Sequence, residues 1–159
     1  MHGDLSKSEI DEVLTQQYIG RIGCSVGDKP YIVPVAYSYD AASSSIYGMT
    51  GEGMKTDFLR KNPLVCFEVE SVKDITHWKS VVAWGVFEEL SGPDAKNAMH
   101  KYSEKLKSLV HSNDELLAKV SWDISHEDVP DKNAIIYRIK LTEKSGKFES
   151  FVASESHQR

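Results

Sequence analysis

Residues 77–90 carry Val81, Val82, Ala83, Trp84, Val86 and Phe87 with almost no polar break. β-Branched and aromatic side chains of this kind favour a pleated strand. A strand that is apolar on both faces has to be covered on both, either within one chain or at a subunit interface. The preceding run, residues 64–72, behaves differently. It alternates, with Val65, Phe67 and Val69 opposite Cys66, Glu68 and Glu70, so one of its faces is apolar and the other mixed.

The rest of the chain reads as further strands, with helices kept apart from them. Ser6-Lys7-Ser8-Glu9 has the form of a capping box, and Ile10, Val13 and Leu14 follow at helical spacing, which predicts a helix over residues 6–16. Residues 18–26 form a first strand, with Gly20 and Gly23 as candidate bulges. Gly27-Asp28-Lys29-Pro30 is a turn signal. Residues 31–39 resume in β character with Tyr31, Val33, Val35, Tyr37 and Tyr39 on one face. Pro34 in their midst marks an edge, a bulge or an opening in the ladder. A short loop at 41–45 leads to a third strand at 46–50. Gly51 to Gly53 then breaks the chain, and residues 55–61 form a short helix stopped by Asn62-Pro63. After the two long strands, Pro93 opens a helix with Ala95, Ala98, Met99, Tyr102, Leu106 and Leu109 as its apolar stripe. A second capping-box pattern, Ser112-Asn113-Asp114-Glu115, leads into Leu116, Leu117 and Val120. Residues 133–141 form a last strand, and the polar stretch 142–159 is expected to fray. Six strands with segregated helices predict one α+β barrel domain over residues 1–159, with a polar tail from about 145. No βαβ alternation supports a Rossmann fold.

The chemistry that is absent narrows the field. A net charge of −5 with no basic run argues against nucleic-acid binding, so any phosphate site must draw on local positive charge. No stretch approaches the ~20 apolar residues of a membrane helix, and residues 1–12 lack the apolar core of a signal peptide. A cytoplasmic protein is expected. Cys24 and Cys66 lie in apolar strand-like runs and read as buried, reduced thiols. There is no Gly-x-x-x-x-Gly-Lys loop, no Gly-x-Gly-x-x-Gly after a strand, no His-Glu-x-x-His and no Cys-x-x-Cys. His126-Glu127-Asp128 are neighbours on a polar loop and rarely converge on one ion, so no metal is expected. No side chain stands out as acid, base or nucleophile. An enzyme built this way would lean on a cofactor for the difficult step.

Two segments carry candidate chemistry. Residues 50–63 leave a strand through Gly51 and Gly53 and enter a helix at Lys55. Free N–H groups at a helix start favour an anion, glycines allow close approach, and Lys55 adds a full charge. The same pattern also suits a plain turn with a surface lysine. Residues 78–85, Trp-Lys-Ser-Val-Val-Ala-Trp-Gly, offer a flat wall and a hydroxyl, or else ordinary barrel core.

Five segments in order carry a resemblance: Gly-Arg-Ile-Gly (20–23), Pro-Val-Ala-Tyr (34–37), Ile-Tyr-Gly-Met-Thr-Gly-Glu-Gly-Met-Lys (46–55), Asn-Pro-Leu-Val-Cys-Phe-Glu-Val (62–69) and Trp-Lys-Ser-Val-Val-Ala-Trp-Gly (78–85). Together they resemble the FMN-binding split-barrel superfamily, which includes pyridoxamine 5′-phosphate oxidase, and most closely its nitroimidazole-resistance (Nim)-like branch. The resemblance implies a six-stranded antiparallel split β-barrel with peripheral helices, and a homodimer with FMN at its interface. Pro34, Val35, Ala36 and Tyr37 would lie along the flavin ring. Met49 and Thr50 would line the ribityl chain. Met54 and Lys55 would take the place of the family's phosphate-binding basic pair, with Lys55 alone keeping the charge. Trp78, Ser80 and Val81 would approach the flavin from the long strand. Residues 32–37 lack both basic positions of the oxidases, so the resemblance does not extend to pyridoxamine phosphate oxidation. It implies an FMN-dependent oxidoreductase acting on a small molecule, with NAD(P)H as one candidate donor. The alternative is a non-catalytic flavin- or haem-binding dimer, for which His77 is the one histidine near the expected pocket.

Overall fold

In the computed structural model, which describes residues 1–109 and 134–151, the alternating runs become the strands of one antiparallel sheet. The elements run β1 (His2–Asp4), α1 (Lys7–Gln16), β2 (Ile19–Val26), β3 (Lys29–Ala36), β4 (Ser38–Asp40), β5 (Ser45–Thr50), α2 (Met54–Lys61), β6 (Leu64–Asp74), β7 (His77–Glu89), α3 (Gly92–Leu109) and β8 (Ile135–Ser150). The expected α+β barrel is present, with eight strands rather than six. The short β1 was not anticipated, and the run at 31–39 divides into β3 and β4. From Leu141 to Ser150 the chain does not fray, and residues 152–159 of the expected tail lie outside the described residues. β8 continues to Ser150, paired with β7 along its length and with β1 at its end. The capping-box pattern at 112–120, residues 126–128 and Asn133 lie outside the described residues.

The ladder runs β3-β2-β6-β7-β8-β5-β4. Its two edge strands are therefore consecutive in sequence, joined only by Tyr37. One residue can link opposite edges only if the sheet curls almost into a closed cylinder. No ladder joins β3 to β4, so the barrel stays split at that seam. Tyr37 holds the corner from inside. It is fully buried, its hydroxyl donates to the Leu14 carbonyl at 2.8 Å, and its ring meets Phe67 edge-on at 4.9 Å.

The inward face packs Ile22, Val35, Ile46, Val65, Phe67, Val69, Val81, Ala83, Phe87 and Ile139. α1 plugs one end. Its capping box is formed as expected, with Glu9 N–H donating to Ser6 Oγ and Ser6 N–H to the Glu9 carboxylate. Val13 and Leu14 are then buried, which is worth about 1.5–3 kcal/mol each. Lys144 pins α1 from the sheet, donating to Asp11 Oδ1 and to the Tyr39 hydroxyl, each at 2.8 Å. Burial pushes the Asp11 carboxyl up, but the bonds from Lys144 and Tyr39 outweigh it and leave its pKa below the ordinary value.

Gly20 and Gly23 are not bulges, because the β2–β3 register runs unbroken through both. Gly20 is small for another reason. A Cβ there would overlap the Phe67 ring. The irregularities lie instead in β6, between Val72 and Asp74, and where β7 meets β8, between Trp84 and Gly85. α3 covers the outer face of β5 and β8, where Tyr47 and Ile136 pack against Ala98, Ala95 and Met99, and ties to β4 through Lys101 and Asp40. No helix among the described residues is long and apolar enough to cross a membrane.

Candidate flavin site

Strand alternation divides the candidate residues between two faces. Val35, Tyr37 and Val81 are buried in the core, so only their main-chain groups are left for a ligand. Pro34, Ala36 and Ser80 project from the outer face. So does Trp78, but its indole N–H is already committed to Glu149 Oε2 at 3.1 Å.

β3 pairs on one side only, which gives it a free edge. The Tyr37 N–H donates to the Tyr18 carbonyl, so in an antiparallel ladder the odd-numbered residues of β3 direct their main-chain groups to β2. The groups of Ile32, Pro34 and Ala36 therefore point away from it. The edge reading of Pro34 is the one realised, since proline has no N–H to leave unpaired there.

Beside this edge lies an open platform. Across the strands, Ile32 faces Gly23, Gly23 faces Cys66, and Cys66 faces Trp84. One row away, Leu64 faces Val86. Ile32, Leu64, Trp84 and Val86 are all exposed, Ile32 to 72%. The long strand β7 is thus buried on its inner side and open on its outer side within a single chain. Cys66 sits half-buried on this platform and Cys24 turns inward; both are free thiols, and only Cys24 is fully buried as expected.

One row further along, Arg21 Nη1 lies between Glu68 Oε2 at 3.2 Å and Glu70 Oε2 at 2.7 Å. Partial burial, reinforced by the hydrogen bond and like charge of Glu70, pushes the Glu68 carboxyl up to about 7 against the pull of Arg21. Sequence reading put Glu68 and Glu70 on one strand face but missed Arg21, whose contact depends on the β2–β6 register.

The glycine segment makes a preorganised turn. Thr50 leaves β5, and α2 begins at Met54 after Gly53, which has no side-chain cap. The first-turn N–H groups are therefore open to a ligand. Two contacts strap the turn, and neither was foreseen. Fully buried Thr56 donates from Oγ1 to the Gly51 carbonyl at 2.8 Å, and Arg60 grips the Glu52 carboxylate with both terminal nitrogens while its Nε donates to Glu89. Arg60 is thereby spent as a cation. Lys55 is not: it is half-buried, makes no ion pair among the described residues, and burial lowers its pKa. A Cβ at Gly51 or Gly53 would enter open space, so the fold itself does not need those glycines. Met49 and Met54 are exposed beside this turn. β3 comes into contact with β5 across the seam, which brings the free edge and the strand leading to the glycine turn together.

His77 is unsuited to ligate an iron. Its Nδ1 lies 2.8 Å from Asp74 Oδ1 and its Nε2 lies 3.0 Å from the Phe151 carbonyl. No group of three or more metal-ligating side chains occurs among the described residues.

A family model described as pyridoxamine 5′-phosphate oxidase matches residues 6–148. An uncharacterized protein of Rhizobium meliloti (strain 1021) is 33% identical over 86 residues, a match spanning 54% of this chain and 56% of that one. Among solved structures, a FAD-binding protein from Mesorhizobium loti is similar with TM-score 0.71 and 27% identity, over 94% of this chain and 99% of that one. A FAD-binding protein from Mycobacterium smegmatis shares the fold with TM-score 0.66 and 20% identity, over 94% of this chain and 100% of that one. So does a Bacteroides thetaiotaomicron protein proposed to confer 5-nitroimidazole antibiotic resistance, with TM-score 0.67 and 16% identity, over 93% and 87%.

Proposed function

The chain belongs to the pyridoxamine 5′-phosphate oxidase family, and we propose that it is an FMN-dependent oxidoreductase whose flavin lies between the free edge of β3 and the amino terminus of α2. The observation that carries this reading is the glycine turn. A half-buried lysine with no counter-charge among the described residues stands beside uncapped N–H groups and two glycines with open space around them. That arrangement suits a phosphate monoester. The main-chain groups of Ile32, Pro34 and Ala36 would meet the polar edge of a flat ring, and Thr50 and Ser80 would add hydroxyls. A bound flavin supplies hydride and electron transfer. The chain's residues hold its phosphate, orient its ring and keep water from one side.

We place the second copy on the platform of Ile32, Leu64, Trp84 and Val86, four exposed apolar side chains on one face of the sheet, since neighbouring exposed apolar groups mark interaction surfaces. NAD(P)H is the proposed donor and a small molecule the acceptor. Pyridoxamine 5′-phosphate itself is a poor fit, because neutral Ile32 to Tyr37 replace the basic positions that would hold its phosphate. FAD in place of FMN is a second reading, favoured by the 27%-identical Mesorhizobium loti protein that is named FAD-binding.

The test is to incubate the purified protein with FMN and, separately, with FAD, followed by gel filtration and a visible spectrum. Retained paired flavin bands support the reading, and the better-retained nucleotide decides between the two. Bleaching by NAD(P)H with recovery on adding an acceptor separates an oxidoreductase from a carrier. A colourless protein after both incubations refutes the flavin reading.

A further inference from the structure

The outer face holds two carboxylates against a single guanidinium. With Glu68 and Glu70 both ionised, the cluster around Arg21 carries one uncompensated negative charge. Among the described residues, its strand neighbours offer no second unengaged cation. Opposite Arg21 on β3 stands Pro34, and opposite Glu68 and Glu70 on β7 stand Val82 and Ser80. Cys66 precedes the pair on its own strand. Beyond Ser80 on β8 lies Lys147, whose amine is held by Asp4.

The cluster also lies between the two segments proposed to contact flavin. Pro34 and Ala36 are on one side of it and Ser80 on the other, all on the same face. Arg21 and Glu68 stand one row from Gly23 and Cys66 of the platform, so a second copy that extends past the platform along β6 covers the cluster as well. The platform's rim carries Lys140 and Glu143 on one strand, and a surface bearing both signs suits a contact in which the same patch of two copies meets. Burying a carboxylate without a counter-ion is strongly unfavourable. One proton removes that cost, because it lets Glu68 and Glu70 share a hydrogen bond and leaves the second charge to Arg21.

We propose that the Arg21–Glu68–Glu70 cluster is a proton-binding site linked to dimerisation, so that each cluster takes up a proton as a second copy covers it. The inference rests on the dimer proposed above. The sign follows from linkage. Glu68 already titrates near 7 in the open chain, and covering raises it further, so the dimer holds more protons than two separate chains. Association then weakens as pH rises above about 7, by up to roughly tenfold per cluster per pH unit.

The experiment is the dimer Kd by analytical ultracentrifugation from pH 6.5 to 9, with and without added FMN, for the wild-type chain and for Glu68→Gln and Glu70→Gln. Circular dichroism establishes that each variant is folded. The expected result is a Kd that rises with pH in the wild-type chain and a flat, tight profile in both variants. Either variant serves if the other does not fold. A pH-independent wild-type Kd, or a slope that survives both substitutions, overturns the proposal while leaving the dimer standing. A monomer at every pH and concentration overturns the dimer reading itself.

Discussion

Replacing Lys55 by Met keeps most of the aliphatic stem and deletes only the charge, which isolates the electrostatic part of the proposed phosphate site. In the free chain Lys55 is half-buried, unpaired among the described residues, and lowered in pKa by that burial. Its removal therefore leaves folding stability unchanged or slightly raised. Its gain comes only with an anion. A hydrogen bond to a charged group in a partly desolvated place contributes about 1.5–3 kcal/mol, or roughly 10- to 150-fold in Kd. Flavin fluorescence quenching measures this directly. FMN is expected to bind Lys55→Met weaker by that factor, while riboflavin, which has no phosphate, binds both proteins within about twofold. Salt supplies a second check, since the variant should show the shallower dependence of Kd on ionic strength. A phosphate restores the protonated amine. FMN affinity should therefore fall at alkaline pH as Lys55 deprotonates, and the variant should lack that fall. Equal weakening of FMN and riboflavin, or no weakening of FMN, would refute the assignment of the phosphate to this turn.

Gly51→Ala adds a methyl group where the free chain has open space. Thermal stability should hold within about 1 kcal/mol while FMN affinity drops, and equal affinity would mean that no ligand approaches that loop. Two buried tyrosines make a matched pair. Tyr37→Phe strips the Leu14 carbonyl of its donor and should cost about 1–2 kcal/mol, whereas Tyr137→Phe removes a buried hydroxyl that has no partner among the described residues and should leave Tm unchanged or higher. Differential scanning calorimetry on both variants checks the contrast, and similar losses would contradict it. The Asp11 carboxyl has its pKa lowered in the fold, with burial opposing and the bonds from Lys144 and Tyr39 prevailing. Its contribution is present above the unfolded carboxylate value of about 4 and is lost as pH falls through the folded value. Asp11→Asn should therefore flatten part of the decline in Tm on acidification, and an unchanged decline would count against the Lys144 contact.

Much of the barrel was legible because its inner face is written in alternation. Tyr31, Val33 and Val35 share a side as expected, and the capping box at Ser6 forms as its spacing predicts. The corner at Tyr37 was not legible. Tyr37 belongs to the same alternating run as its neighbours, and only the strand order reveals that the chain changes edges there. The far half of β8 was hidden for a different reason. Its inward positions are Lys144, Gly146 and Phe148, of which only Phe148 is apolar. Lys144 is spent on Asp11 and Tyr39, and Gly146 leaves room for Leu5 and Ile10. Polar sequence there means a plugged barrel end. At the site, the two glycines and Lys55 announced an anion. Thr56 and Arg60 gave no such signal, because holding a loop from below has no motif.

The free edge of β3 constrains what can sit on this face more sharply than the apolar platform does. An exposed edge invites strand addition, and proteins commonly block it with proline. Pro34 does so at the centre of the edge, removing one donor where a regular ladder would need it. The main-chain groups of Ile32 and Ala36 and the Pro34 carbonyl still point outward. Covering them with a purely apolar surface would strand them without partners, at a cost of about 1–3 kcal/mol for each group left unmet. A second copy's hydrophobic residues alone therefore do not complete the face. With a second copy over the platform, the occupant of the edge has to be flat and to bear donors and acceptors along one side at the spacing of a strand edge. A fused heteroaromatic ring has that combination, and a phosphate tail reaching towards Lys55 would fix its direction along the seam.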